Sequence, residues 1–289
     1  MALFSRVREL GVEGPILGAF AGSTFVASWQ EDGRDLLAKW ASPDASPELV
    51  TPVDARVVTL ASSPEGARVA IAGVVEVEGR EVIELLVATL APPSGVRLVR
   101  PSAALSSEAG QAPRLLWSAD GRHLAIGGMH GTSAEHVVTM VFDLGLTPPK
   151  TSVLFGRPVS WQDDRLGVAL GDACSAWSAR SDAEVAWDGA ERQVAPDGTA
   201  SVVRARDGAV TIEARGERAR PLVGAPATLT WVGPHHLATE DGRALDVLAR
   251  EAVDLLPKGG RGTLVALGPE GRQGVFERSG AYVWAHVER

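Results

Sequence analysis

Along most of this chain apolar residues alternate with polar ones in short runs, and turn residues cut the runs about 8 to 12 positions apart. A period of two predicts strands with one buried face, and turns this close predict antiparallel pairing. One phrase recurs. It reads SSPEGARVAIAG from Ser62, WSADGRHLAIGG from Trp117, VAPDGTASVV from Val194 and LGPEGRQGVF from Leu267. Each copy predicts strand, tight turn, strand, because Asp or Glu followed by Gly supplies the permissive backbone that such a turn needs. Two degenerate copies, WQDDRLGVAL from Trp161 and WVGPHHLAT from Trp231, keep the leading Trp and the later Leu but lose the turn Gly. A second turn and a third strand follow several hairpins, as in RARDGAVTIEARGE from Arg204, TEDGRALDVLARE from Thr239 and ERSGAYVWAHVE from Glu277.

The turn positions Gly66, Gly121, Asp164, Gly198, His235 and Gly271 stand 55, 43, 34, 37 and 36 residues apart. Those intervals match a whole multi-stranded blade, not a hairpin. An earlier segment, Leu17 to Ala41, fits the same plan and makes seven repeats, so each takes about 41 residues, the size of a four-stranded propeller blade. The two consecutive stretches from Val194 and from Leu229, and the Trp284-bearing end of the chain, resemble WD-type blades. Only Trp187 and Asp188 reproduce the dipeptide itself, and Ala285 stands where the family's Asp would follow Trp284. WSADGRHLAIGG is equally similar to TolB-type repeats. The expected fold is therefore all-β: one seven-bladed β-propeller of antiparallel four-stranded blades spanning residues 1–289. Phe4 to Leu10 is expected to return as the outer strand of the last blade and close the ring over residues 1–10, with a short N-terminal helix as the alternative. Ala91 to Ala112, rich in Pro, Ser, Ala and Gly, is expected to be a surface loop between blades.

Composition changes this picture little. With 45% hydrophobic and 22% charged residues the chain reads as soluble and globular, and its apolar runs are too short to span a bilayer. The start, MALFSRVRELGVEG, lacks the apolar stretch of a secretory signal, which points to the cytoplasm. A net charge of −8 argues against nucleic acid as a partner. The lone Cys174 excludes an intrachain disulfide and a multi-cysteine metal site.

Candidate chemistry is sparse. Trp117, Trp161 and Trp231 occupy one repeat position and Trp187 and Trp284 another, so packing between blades accounts for them; Trp29, Trp40 and Trp177 have no clean equivalents, and one could be exposed for binding. Adjacent His235 and His236 sit in a turn, and His130 and His136 flank a polar turn with no acidic cluster beside them, so no metal is expected. Glu65, Asp120, Asp197 and Glu270 are turn formers on separate blades. No P-loop, HExxH or GxSxG motif is present.

One pattern bears on binding. Arg56, Arg114, Arg157 and Arg261 lie three to six residues before the Trp117-equivalent position in four of the seven repeats. Arg34, Arg80, Arg206 and Arg278 lie in or beside the second set of turns. In the layout implied by the resemblance these positions share one face, giving an acidic chain a basic mouth suited to a carboxylate or phosphate; the abundance of Arg in exposed turns is the plainer explanation. The resulting expectation is a non-catalytic scaffold or recognition module without cofactor or metal, binding proteins through Arg56, Arg114, Arg157 and Arg261, with an acidic segment as the suggested contact and with no nucleic-acid or membrane partner. Two alternatives stay open: a propeller hydrolase or lyase with residues converging at a central channel, and a module for a small anionic ligand.

Overall fold

The computed structural model describes residues 4, 6–91, 95–99, 105–106, 112–130, 137–171, 173–185, 187, 189–195, 199–205, 207–214, 216–223, 225, 229–232, 235–239, 241–247, 251–256, 262–268 and 271–286. The elements named among them are all β-strands. After β1 (Arg6–Glu9), a four-stranded sheet is formed in order by β2 (Ile16–Ala21), β3 (Thr24–Glu31), β4 (Arg34–Trp40) and β5 (Glu48–Val53). Next come β6 (Arg56–Ser62), β7 (Arg68–Val77), β8 (Arg80–Thr89) and β9 (Gly95–Val99), the two-residue β10 (Leu105–Ser106), and then β11 (Leu115–Trp117), β12 (His123–His130), β13 (Val137–Asp143) and β14 (Lys150–Phe155). These nine make a single sheet. The next sheet takes β15 (Arg157–Gln162), β16 (Arg165–Leu170), β17 (Ala173–Ser178) and β18 (Ala183–Val185). Another takes β19 (Glu191–Val194), β20 (Ala200–Arg204), β21 (Val210–Ala214) and β22 (Arg220–Pro221). It is followed by β23 (Thr230–Val232), β24 (His236–Ala238), β25 (Arg243–Asp246) and β26 (Ala252–Asp254). The last sheet joins β27 (Thr263–Leu267), β28 (Gln273–Arg278) and β29 (Ala281–His286) to β1.

Among the described residues the sheets thus number five of four strands and one of nine, where the repeat pattern leads one to expect seven separate sheets. The difference lies in Leu105 and Ser106, which both pair with β12, while Leu105 also pairs with Ile83 of β8 on the other side, welding two groups together. The same residues fall in the stretch expected to be a surface loop. Within it Gly95–Val99 pairs along β8, and Val99 and Leu105 are almost fully buried. Alternating Val96, Leu98 and their neighbours outweigh the Pro, Ser and Gly around them.

The recurring phrase is a recurring hydrogen-bond pattern. The amides of Ser63, Ser118, Ala195 and Gly268 donate to the carbonyls of Arg68, His123, Ala200 and Gln273 at 2.8–2.9 Å. The turn amides of Gly66, Gly121 and Gly271 reach back to Ser63, Ser118 and Gly268. All three glycines have positive φ. In the degenerate copy at Trp161 the left-handed position is taken by Asp163, at φ 54°, a residue type that tolerates it. Gly198 and the acidic turn residues Asp197 and Glu270 lie outside the described residues.

Close contacts divide the chain into two compact units, one of Met1–Phe25, Trp40–Ser46 and Ala190–Arg289, the other of Val26–Lys39 and Pro47–Gly189. In the first, β1 pairs antiparallel with β29, Arg6 opposite His286 and Glu9 opposite Val283, and Phe4 stacks edge-on against Phe276 with no exposed surface. Phe20, Phe25, Trp40 and Trp284 form an aromatic cluster beside them. In the second unit the core runs through Ile83, Leu85, Leu124, Ile126, Met140 and Phe142.

Candidate functional site

Counting along the strand ladders decides where each candidate Arg stands. In β11, Trp117 lies opposite Leu124 and Leu115 opposite Ile126, and the carbonyl of Arg114 accepts from the Gly127 amide, so Arg114 is three ladder steps from the Trp. In β15 the sequence GRPVSW places Arg157 four residues before Trp161, one more than in APRLLW. A bulge between Pro158 and Ser160 absorbs the extra residue, so Arg157, opposite Ala169, also stands three steps away. In β6 the same step is Thr59, and Arg56 lies two steps further out beyond a second bulge, opposite Val74. In β27 that step is Thr263, and in β19 it is Glu191.

The described members of the four-Arg set therefore do not share one ladder position. Arg114 and Arg157 are exposed and line the same cavity of about 540 Å³, with Thr59 on its wall. Arg56 instead pairs with Glu81, Nη2 to Oε1 at 3.0 Å, with both side chains largely solvent-exposed. Arg261 and Arg206 lie outside the described residues. Pro113, Pro158, Val159 and Val137 give the cavity an apolar body. Glycines allow close packing here: a Cβ on Gly127 would meet Pro158 at 2.6 Å, and one on Gly156 would meet the Ala169 carbonyl at 2.6 Å. Gly156 has φ 111°, and its carbonyl accepts from the buried Thr139 hydroxyl at 2.7 Å. The result is a recess with two guanidinium groups, apolar walls and a size typical of ligand sites. Guanidinium forks suit carboxylate or phosphate. Arg gave the sequence signal; the prolines, the glycines and the bulge gave none until the ladders aligned them.

The other candidates resolve into structure. The Trp117 indole N–H donates to the Ala61 carbonyl at 3.0 Å, Trp161 to Leu116 at 3.2 Å and Trp231 to Gln193 at 3.0 Å. In each case the acceptor precedes the Trp-equivalent position of the preceding repeat, so the repeated Trp is a latch between successive first strands. Trp187 and Trp284 are not equivalent: Trp187 follows β18 and lies over Gly167, whereas Trp284 is buried within β29. Trp40 and Trp177 are buried and Trp29 is half-buried, so none of these three is exposed for stacking.

Described acidic turn residues serve their turns. The Asp120 carboxylate accepts from the Ser118 hydroxyl at 2.6 Å and the Arg122 amide at 3.0 Å, and the Ser118 bond leads in holding its pKa below the ordinary value. Asp143 is held down by two hydrogen bonds from the Arg122 guanidinium, and Asp182 by Lys150, Ser152 and Trp177. His236 lies 3.5 Å from Asp246; burial pushes its pKa down against that carboxylate's pull. His136 and Asp188 are not among the described residues. No three of His, Cys, Asp or Glu among those described gather as a metal-holding group, and no helix is long and apolar enough to cross a membrane.

No protein-family model matches the sequence, and no curated protein matches it. Among solved structures the chain is similar to an oligogalacturonate lyase in complex with manganese, at 12% identity over 98% of this chain and 93% of that one, with a TM-score of 0.61. It is similar to the C-terminal WD40 domain of Sif2, at 11% identity over 99% of both chains, with a TM-score of 0.57. The β-propeller domain of the Trilobed protease from Pyrococcus furiosus matches at 13% identity over 95% and 96%, with a TM-score of 0.61. Likeness at such identities defines the fold class: the protein is an all-β propeller of small antiparallel sheets. A WD-type domain and propellers of enzymes stand side by side among the similar structures, so the fold leaves the function open.

Proposed function

We propose that this propeller is a non-catalytic recognition module for protein partners, and that Arg114 and Arg157 grip a carboxylate of an acidic segment at the cavity between β11 and β15. One observation carries the reading: two Arg residues from successive repeats share one ladder position and line one cavity. A rigid sheet framework supports it, since loops and strand ends held in place lose little entropy when a partner docks. Seven blades are part of the proposal. β6–β9 and β11–β14 each follow chain order within the nine-stranded sheet, and treating β10 as a weld between two blades adds them to the five separate sheets. The pairing of β1 with β29 supports closure of the ring by the N-terminal strand.

The test is direct binding. Fluorescence anisotropy with a labelled hexaglutamate peptide, and with hexaglutamine as its neutral match, should show binding of the glutamate form alone. Arg114→Glu with Arg157→Glu should weaken it at least tenfold, about 1.4 kcal/mol or more. Equal binding by the double variant would sink the site. Displacement of the peptide by phosphate or citrate at micromolar concentration would favour a small-anion module instead.

A further inference from the structure

A second surface shares no described lining residue with the Arg cavity and does not depend on it. β14 ends the nine-stranded sheet, so no described strand lies along its outer edge. Its first half is tied down: Lys150 and Ser152 both reach the Asp182 carboxylate. Beyond Ser152, the residues Val153, Leu154 and Phe155 border a groove of about 350 Å³ whose floor is the small-residue run Ala173, Cys174, Ser175 and Ala176 of β17. Phe155 is 70% exposed, Val153 49% and Leu170 45%, three large apolar side chains around one recess. β18 is only three residues long and its pairing stops at Ala176, leaving Ala173, Cys174 and Ser175 beyond it. Clustered exposed apolar surface beside an open strand edge is the usual footprint of a bound segment.

Charge decides between occupants. Glu184 is the one charged residue in the described lining, and the chain carries −8 overall. Two copies would repel one another, whereas a basic segment would be drawn in and oriented. We infer that the groove between β14 and β17 binds an extended segment of a partner protein, added along the β14 edge, with aliphatic side chains at alternate positions and a Lys or Arg that meets Glu184. Strand addition supplies the main-chain bonds, the recess selects the aliphatic side chains, and Glu184 sets the direction.

The experiment is selection followed by measurement. Random octapeptides displayed on phage are selected on the wild-type protein after depletion on Phe155→Glu, a change at a mostly exposed position that should leave the circular dichroism spectrum and melting temperature intact. The enriched peptides should alternate aliphatic and polar residues and carry Lys or Arg at one end. By calorimetry the best of them should bind Phe155→Glu and Glu184→Lys at least tenfold more weakly, and exchanging its basic residue for Glu should restore binding to Glu184→Lys. The Arg114→Glu, Arg157→Glu variant should bind it as the wild type does, which separates this surface from the Arg cavity. Enrichment of acidic or non-alternating peptides, or affinity indifferent to both groove substitutions, would overturn the inference. So would a wild-type dimer in sedimentation that Phe155→Glu disperses, because the occupant would then be a second copy.

Discussion

Replacing Trp161 by Phe keeps an aromatic ring near His123 and Trp177 and removes one donor, the indole N–H that reaches the Leu116 carbonyl. The expected cost is about 1 kcal/mol, read as a lower urea midpoint at unchanged slope, and Trp231→Phe should cost a similar amount through Gln193. Gly121 is constrained twice over. Its φ is 68°, and an added Cβ would come within 2.2 Å of the Glu65 carboxylate. That carboxylate cannot simply swing away, because it accepts two hydrogen bonds from Arg68, whose guanidinium also reaches the Gly121 carbonyl. Gly121→Val should therefore cost about 2–3 kcal/mol. Gly33→Ala, at a similar φ but with nothing within 4 Å of the added carbon, should lose only the backbone part, about 1 kcal/mol. Equal losses at the two sites would mean that the Glu65 contact carries no weight.

At the scale of the element, β1 is held by its ladder to β29, by the Phe4 amide on the Leu255 carbonyl at 2.9 Å and by the Leu10 amide on the Tyr282 carbonyl at 2.8 Å. Deleting residues 1–10 should lower the melting temperature and give concentration-dependent association, since it bares the β29 edge; unchanged melting and a pure monomer would reject a closing role. This strand was legible in the sequence because FSRVREL alternates and the last repeat ends one strand short. β9 and β10 were not, because the bulk composition of the stretch hid a few apolar positions that become buried. The shared ladder position of Arg114 and Arg157 was half legible: spacing from the Trp picked out both, but a linear count treats a bulged strand as if it were straight, and so it grouped with them Arg56, where the ladder places Thr59. The sheet of β23–β26 carries a separate consequence. Burial holds His236 below its ordinary pKa near 6.5, so as pH falls the unfolded chain takes up the proton first. Its contribution is full above that value and fades below it. His236→Gln should flatten the fall in melting temperature between about pH 7.5 and pH 5.5. The later fall below about pH 4, where Asp120, Asp143 and Asp182 protonate, should remain.

Over the whole molecule the net charge of −8 works against the acidic preference proposed for the Arg cavity, since an acidic segment would approach through a repulsive field and be attracted only near contact. These two effects separate by rate. Raising salt from about 10 mM to about 150 mM shortens the Debye length from about 30 Å to about 8 Å. Association of the hexaglutamate probe should then quicken as long-range repulsion is screened, while dissociation quickens as the contact itself weakens. Two charge reversals of equal size distinguish field from site. Arg34→Glu with Arg80→Glu, at the β3–β4 and β7–β8 turns, changes the total charge as much as Arg114→Glu with Arg157→Glu but leaves the cavity lining intact. The turn variant should slow association at low salt and recover at high salt, with dissociation unchanged. The cavity variant should lose affinity at both, because the contact is gone and screening cannot restore it. If stopped-flow traces show the two variants behaving alike, the probe is responding to total charge, and Arg114 and Arg157 hold no special place in binding it.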